Sequence, residues 1–418
     1  MDWSNPRVFI PGGVIAYLLL VRRLRYRRRD GWIRDFKRKY GSCDRESLCN
    51  MKIEDAWVIL RDMTELEFPS LFSVSVFFAL FKTYGIPTIS KLLLATGQLA
   101  SDTTASKRAT DTGVLVAEFV LNGPDSARKM DSLARVNYLH DRYRKAGKIT
   151  DEDMLYTLSL FALEPARWTD RHDWRRLTDL ERCSLGTYWR DVGEAMEIPY
   201  DRLEPYMGPY NDGLGWLEAV DRWSVAYEEN AMVPADSNEK VARGTLNVLL
   251  FNTPLAWRDF VMKLMSVLME TRLRTASRIA EPSEIHRVTM GALLALRRWA
   301  VRYTHLPRPA WLRSRFFEED ADPRTGKYYA AQYVAHPWYV RPTPWSRWGF
   351  EAARTRMWGG ILPGDHGAEY HPDGYRIAEI GPEPLKGKGE AEMEKIRAQL
   401  RERRAMQGGC PMAVLKSP

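Results

Sequence analysis

The chain has 418 residues, 45% of them hydrophobic, which is ample material for a buried core and excludes a disordered or disulfide-stapled miniature. Much of the net charge of +8 resides in one arginine run, residues 22–29, and elsewhere Lys and Arg alternate with Asp and Glu; without a groove-reading or base-stacking module, this balance predicts no nucleic-acid partner. Cys43, Cys49, Cys183 and Cys410 are too few and too scattered for a disulfide framework or a closed zinc site, and they suit a reducing compartment.

Residues 8–21 (VFIPGGVIAYLLLV) are continuously apolar or small and run straight into RRLRYRRR. The stretch is shorter than the roughly twenty residues a helix needs to cross a bilayer, and Pro11, Gly12 and Gly13 weaken it. Flanking residues make up length: Trp3 and Tyr17 suit the interface, and Arg7 and Arg22 can snorkel. A cleaved signal peptide carries its charge before the apolar run, not after it. The expectation is a single N-terminal membrane anchor, with the remainder cytosolic by the positive-inside rule; a buried or interfacial helix is the alternative.

Residues 53–94 are helical in pattern. Within them LFSVSVFFALF, residues 71–81, is too short to span a bilayer and is bounded by Glu65, Glu67 and Lys82, which predicts a core helix ending at Gly85-Ile86-Pro87. Residues 105–143 read as two helices, because Asn122, Gly123 and Pro124 stop one periodic segment and Asp125-Ser126 can cap the next. In the first, Arg108, Asp111 and Thr112 stand at i, i+3 and i+4 on one face. Leu115, Val116 and Phe119 continue that stripe, so the polar groups open into something buried. In the second, Leu133, Val136 and Leu139 bracket Asn137 and His140, which puts a lone imidazole on or beside the buried face. Taken alone, such a histidine is more often a hydrogen-bonded core residue than a ligand.

Asp151 and Asp153 open a helix whose apolar run, residues 154–163, ends before Pro165. The hydroxyls of Tyr156, Thr157 and Ser159 either bond backbone carbonyls or line a pocket. Residues 169–183 (TDRHDWRRLTDLERC) read as a solvated, salt-bridged helix start, which argues against catalysis by His172 and Asp173. Helices follow over 180–198 and 214–227, with Trp189, Trp216 and Trp223 as packing anchors. Residues 241–279 form two helices split at Asn252-Thr253-Pro254, and residues 282–284 open another that runs to about Tyr303. Met262, Met265 and Met269 make a stripe suited to core filling or to a greasy cavity. Beyond LPRP, residues 306–309, the composition turns rich in Pro, Gly, Arg and Trp up to about residue 389. This segment should wrap the helical body as extended chain, and its Trp and Arg also suit a headgroup region. His366 and His371 fall in its loops without the partners of a zinc site. Residues 390–407 form a short charged helix. No paired Glu-x-x-His motif, Gly-rich phosphate loop, nucleophile elbow or paired-cysteine site occurs.

Arg-x-x-Asp-Thr at Arg108, Asp111 and Thr112, followed by Arg135-Val136 and His140, resembles the family of rubber oxygenases and fungal endoplasmic-reticulum-bound oxygenases. The similarity continues through KTYGIPTISKLL (82–93), GKITDEDMLYTLSLF (147–161), DWRRLTDLERCSLGTYWRDVGEAMEIP (173–199), YEENAMVPADSN (227–238) and LRRWAVRYTHLPRP (296–309), and is strongest to the fungal branch. The resemblance implies an all-α protein with a globin-like heme b core, additional helices and the extended C-terminal segment. It implies that His140 is the proximal iron ligand and that Arg108, Asp111 and Thr112 face the other side of the porphyrin. Bacterial rubber oxygenases carry a lysine at the position of Asp111, so closure of the iron site by a distal amine is not expected here.

The resulting expectation divides the chain into an anchor with its basic flank (1–29), a helical heme-binding oxygenase domain (30–309) and a C-terminal wrap with a short helix (310–418). The activity would be oxidative cleavage, with O2, of a C=C bond in a lipophilic prenyl or polyketide chain, in secondary metabolism at the endoplasmic reticulum membrane. Arg108 would either stabilise negative charge developing on dioxygen or hold a heme propionate, and Asp111 and Thr112 would deliver protons. A diverged oxidase that hydroxylates or couples its substrate, and a non-catalytic membrane scaffold in which His140 is structural, are the other readings of these residues.

Overall fold

The computed structural model describes residues 6–98 and 102–407. Trp3, Cys410 and the side chain of Arg7 lie outside the described part. The fold is all-α: among the described residues there is no strand, and Phe317 with Ala330 and Tyr328 with Tyr375 form isolated bridges.

Helix α1 (Pro6–Leu24) passes Pro11 without a break, and its residues 11–20 are exposed. No single helix among the described residues is long and apolar enough to cross a membrane. Helix α2 (Arg27–Tyr40) buries Trp32 and Phe36, and the short α3 (Arg45–Leu48) leads into α4 (Ile53–Asp62). After a π-turn at Met63–Glu67, α5 (Pro69–Thr83) leaves at 109° to α4. A proline cannot prolong the helix before it, so the chain turns ahead of Pro69. Helix α5 is the core helix expected over 71–81, with Leu71, Phe72, Phe78 and Phe81 buried, and α6 (Pro87–Ala95) follows the Gly85-Ile86 turn.

Helices α7 (Asp102–Leu121) and α8 (Ala127–Lys145) form an antiparallel hairpin; the Ser126 hydroxyl accepts the Lys129 N–H at 3.1 Å and starts the second arm. Helix α9 (Asp151–His172), capped by Thr150, runs through Pro165, where the sequence predicted an apolar run ending before it. Residues 153–166 are all buried except Thr157, so packing outweighs the one hydrogen bond a proline forfeits. The hydroxyls of Thr157 and Ser159 bond backbone carbonyls, and that of Tyr156 donates to Glu228.

The charged stretch after α9 is not solvated as expected. Asp173, Arg175 and Glu181 are 1%, 7% and 0% exposed, and Arg175 pairs with Glu181 at 2.6 Å and Glu67 at 3.2 Å. Opposite charges neutralise one another here, which is what lets them leave water. Thr178 and Glu181 form a capping box for α10 (Asp179–Ala195). Helix α11 (Gly213–Ala231) crosses α10 glycine to glycine: a Cβ on Gly186 would fall on the Gly213 carbonyl oxygen, and one on Gly213 would strike Thr187. Gly186→Ala should therefore destabilise the protein by about 1–3 kcal/mol through overpacking, read as a lowered urea midpoint at unchanged slope. Trp189, Trp216 and Trp223 are buried, as expected of anchors.

Three helices, not two, occupy the next region: α12 (Asp236–Leu249), α13 (Leu255–Val267) and α14 (Thr271–Ala276). The extra break comes where buried Arg274 donates to the Ser266 carbonyl at 3.2 Å and also to that of Met269, so a guanidinium takes over from helix hydrogen bonds. Helix α15 (Glu284–Thr304) follows.

The C-terminal segment wraps the α7–α8 hairpin and contains two short helices that its composition did not predict, α16 (Pro344–Trp348) and α17 (Phe350–Met357). Trp338, Tyr339, Tyr375 and Ile380 pack on Val114, Leu115 and Leu139 in a second apolar core. Helix α18 (Glu390–Gln407) lies on α8. It is riveted there by Arg397 to Asp131 at 2.7 Å, by Arg403 to Asp191 of α10 at 2.9 Å, and by Arg404 to Asp125 at 2.7 Å. In the wrap, burial holds His336 below its ordinary pKa. The imidazole is thus neutral in the folded chain, and stability is lost as pH falls through about 6.5, where the unfolded chain takes up the proton. Between pH 7.5 and 5.5, His336→Phe should lose less urea stability than wild type, by at most about 1.4 kcal/mol.

Candidate active site

Arg108 and His140 lie equally far, sixteen residues, on either side of Pro124. In an antiparallel hairpin such positions sit level, each thirteen helical residues or roughly 20 Å from the turn at 1.5 Å per residue. His140 is partly buried; its Nδ1 is enclosed and makes no hydrogen bond. Burial first, and then the charges of Arg108 and Arg144, push its pKa down to about 4, so the imidazole is neutral near pH 7. A buried ring nitrogen without a partner is uncommon, since such groups nearly always find one.

Arg108 donates to the Thr112 hydroxyl, which donates in turn to the Arg108 carbonyl at 2.9 Å. The Arg108 charge also reaches Tyr84, at the end of α5, whose phenol is pushed up by burial and held back by Thr245 of α12 and by Arg108. Helix α7 packs on both α8 and α12, and α12 packs on α6. Arg108, Thr112, His140, Tyr84 and Thr245 thus converge on one interior region from four chain segments.

Asp111 goes elsewhere. Its Oδ1 accepts the Tyr339 hydroxyl at 2.7 Å and its Oδ2 accepts Lys107 Nζ at 2.8 Å, while Lys107 also donates to the Gly381 carbonyl at 3.0 Å. At 100° per residue, Asp111 stands about 60° from Arg108 on the side away from Thr112, enough to turn it onto the wrap. Burial raises the Asp111 pKa, and Lys107 and Tyr339 oppose the rise. Tyr339 sits at φ 63°, a left-handed conformation costly for an aromatic residue, and its ring stacks on His371 at 5.6 Å. Arg135 is fully buried and donates to the carbonyls of Ile380, Leu385 and Lys388 at 2.8, 3.0 and 3.2 Å, so it fastens the wrap over the hairpin. Asn137 donates to the Ala195 carbonyl at 2.9 Å and fixes α8 against the end of α10.

No protein-family model matches the chain. It is 41% identical over 400 residues to the ER-bound oxygenase mpaB' of Penicillium brevicompactum, an alignment that covers 96% of this chain and 93% of that protein. The chain belongs to the mpaB family of ER-bound oxygenases. ER-bound oxygenase mpaB of Penicillium brevicompactum is 39% identical over 363 residues, 87% of this chain and 85% of its own length. ER-bound oxygenase mpaB of Penicillium roqueforti (strain FM164) is 44% identical over 268 residues, 64% of this chain and 89% of its own length.

For this mpaB-family chain, the donor set limits how a metal can be held. Among the described residues no three His, Cys, Asp or Glu side chains come together as a metal cage. A metal held at His140 would take its other ligands from a cofactor, and a porphyrin would bring its own ring nitrogens and ask the protein for one further donor. An enclosed, neutral, unpartnered imidazole level with a fixed arginine fits that requirement. Sequence reasoning missed Tyr84, Thr245, Lys107 and Tyr339. Tyr84 and Lys107 lie inside stretches already singled out, but no periodicity connects Tyr339 with a carboxylate 228 residues earlier.

Proposed function

We propose that this oxygenase is heme b-dependent and cleaves a C=C bond in a lipophilic prenyl or polyketide chain, using O2, at the endoplasmic reticulum membrane. The observation that carries the reading is the enclosed His140 Nδ1, which has no protein partner and belongs to a ring held neutral. The relatives named ER-bound oxygenases support the location and the reaction class. His140 would hold the iron, and Arg108 would lie on the same interior region as the fixed cation. Bound there, the heme would supply the O2-activating chemistry that no side-chain constellation of this chain provides.

The chain's own contribution is positioning. Arg108 is constrained by its bond to Thr112, so its charge is available for an anionic group without a search through rotamers. Thr112 holds a hydroxyl proton at Oγ1, directed at the Arg108 carbonyl, and can pass one only by rotating away from it. Asp111 reaches the region only indirectly; through Tyr339 and Lys107 it holds α7 to the wrap. The N-terminal helix α1 would anchor the protein, its arginine run on the cytosolic side.

Two measurements test this. Purified protein, as isolated and after hemin is supplied, should show a Soret band and a heme b pyridine hemochrome; a colourless protein under both conditions overturns the reading. Mass spectrometry of products formed under isotopically labelled O2 should show label in two carbonyl-bearing fragments, whereas an intact labelled alcohol would replace cleavage by hydroxylation.

A further inference from the structure

Helix α15 is 21 residues long, and of its side chains only His286 is buried. Projected at 100° per residue, it divides into three faces. Met290, Leu294, Arg297 and Val301 turn toward the protein and are partly covered. Ile285, Val288, Leu293, Leu296, Trp299 and Tyr303 occupy a continuous arc of roughly 140° and are 65%, 61%, 53%, 62%, 55% and 49% exposed. Arg287, Arg298 and Arg302 line the remaining edge, where Glu284 is the sole acid of the helix. Singly exposed apolar residues are ordinary, but a contiguous apolar stripe bordered by cations is not.

We infer that this face of α15 lies in the membrane interface as an amphipathic helix, with its apolar arc among the acyl chains and its arginine edge among the lipid phosphates. Three observations favour a bilayer over a protein partner. Trp299 and Tyr303 share the arc, and such amphipathic rings favour the headgroup level at which a helix lying in the interface sits. The arginine edge borders a cleft of about 580 Å³ where Arg171 is 3.7 Å from Glu270 and Arg287 is 2.8 Å from Glu281, whereas Arg298 and Arg302 make no ion pair among the described residues and are the cations left to meet headgroups. At its C-terminal end α15 also meets α1, which packs on it, donates from the Tyr17 hydroxyl to the Thr304 carbonyl at 2.8 Å and exposes Val14, Ile15 and Leu19 of its own. At roughly 32 Å, α15 would contribute a line of contact rather than a point, holding the body of the enzyme flat against the leaflet.

The inference rests on the membrane reading of α1 but has its own readout. In the full chain, with Cys43, Cys49 and Cys410 replaced by serine, a nitrobenzoxadiazole probe is placed at Leu296→Cys, at Ile285→Cys or, as a control on α11, at Val225→Cys. Each protein is mixed with vesicles of phosphatidylcholine, with or without phosphatidylserine, and with brominated phosphatidylcholine as quencher. The expected result is co-flotation of all three proteins, with a blue shift and bromine quenching at 296 and 285 and none at 225, and Arg298→Gln binding phosphatidylserine vesicles several-fold more weakly. Co-flotation with a water-like, unquenched probe at 296 and 285 overturns the inference and leaves the α1 anchor standing. Absence of flotation overturns both. A probe at 296 that is blue before vesicles are added and insensitive to brominated lipid shows that a second copy of the chain covers the face, and overturns it as well.

Discussion

On the proposed heme reading, truncating His140 to alanine is expected to leave a folded protein that lacks the Soret band expected of wild type and has lost its activity. Groups that merely orient a metal ligand are worth 10–100-fold in affinity or rate, so removal of the ligand itself should cost at least about 100-fold. The substitution empties space beside the hairpin without breaking a hydrogen bond, because Nδ1 makes none, and urea unfolding should therefore move far less than activity. Free imidazole offers a specific check: it should restore part of the pigment and part of the turnover in the alanine variant. A variant whose heme spectrum and axial coordination match wild type would remove His140 from the site.

The second large effect concerns Lys82→Met, remote from that chemistry. Lys82 is 4% exposed, and its ammonium stands 2.9 Å from Glu228, 3.0 Å from Glu270 and 3.6 Å from Glu164. Burial alone would lower its pKa, but the three carboxylates outweigh burial and the pKa is raised. Helices α5, α9 and α11 and the turn before α14 meet on this one charge. Breaking a buried ion cluster by deleting one partner costs about 3–5 kcal/mol, since the remaining charges stay desolvated. The sign with pH is distinctive. Burial already raises the Glu228 pKa, and loss of the ammonium raises it further, so the variant takes up protons on folding. Its deficit against wild type should narrow as pH falls and widen as pH rises. The double substitution Lys82→Met with Glu228→Gln should recover part of the loss, and additive costs in that cycle would show that the two groups do not interact.

The helical body was legible where one face is apolar and the stops are chemical. Asn122-Gly123-Pro124 with Ser126 located the α7–α8 hairpin, and residues 390–407 matched α18 to the residue. Proline misled at 165, because its stop signal is local while the packing that overrides it comes from α5, α10 and α11. Charge density misled at 173–181, since spacing cannot show that Arg175 finds Glu67 more than a hundred residues away. At the site, the level placement of Arg108 and His140 follows from the turn between them, so the hairpin was readable. The angular offset of Asp111 from Arg108 was readable as well; the partner it turns toward was not, because Tyr339 reaches α7 only after the wrap has passed over it.

The wrap also sets a schedule. Arg135 has its acceptors at residues 380, 385 and 388, and the last helix returns arginines to Asp125, Asp131 and Asp191. While the polypeptide is still being synthesised, the hairpin that bears His140 therefore has no cover on that side. A nascent chain stalled before residue 380 would carry the Arg135 flank of the hairpin open to water, without the carbonyls of Ile380, Leu385 and Lys388 that close it.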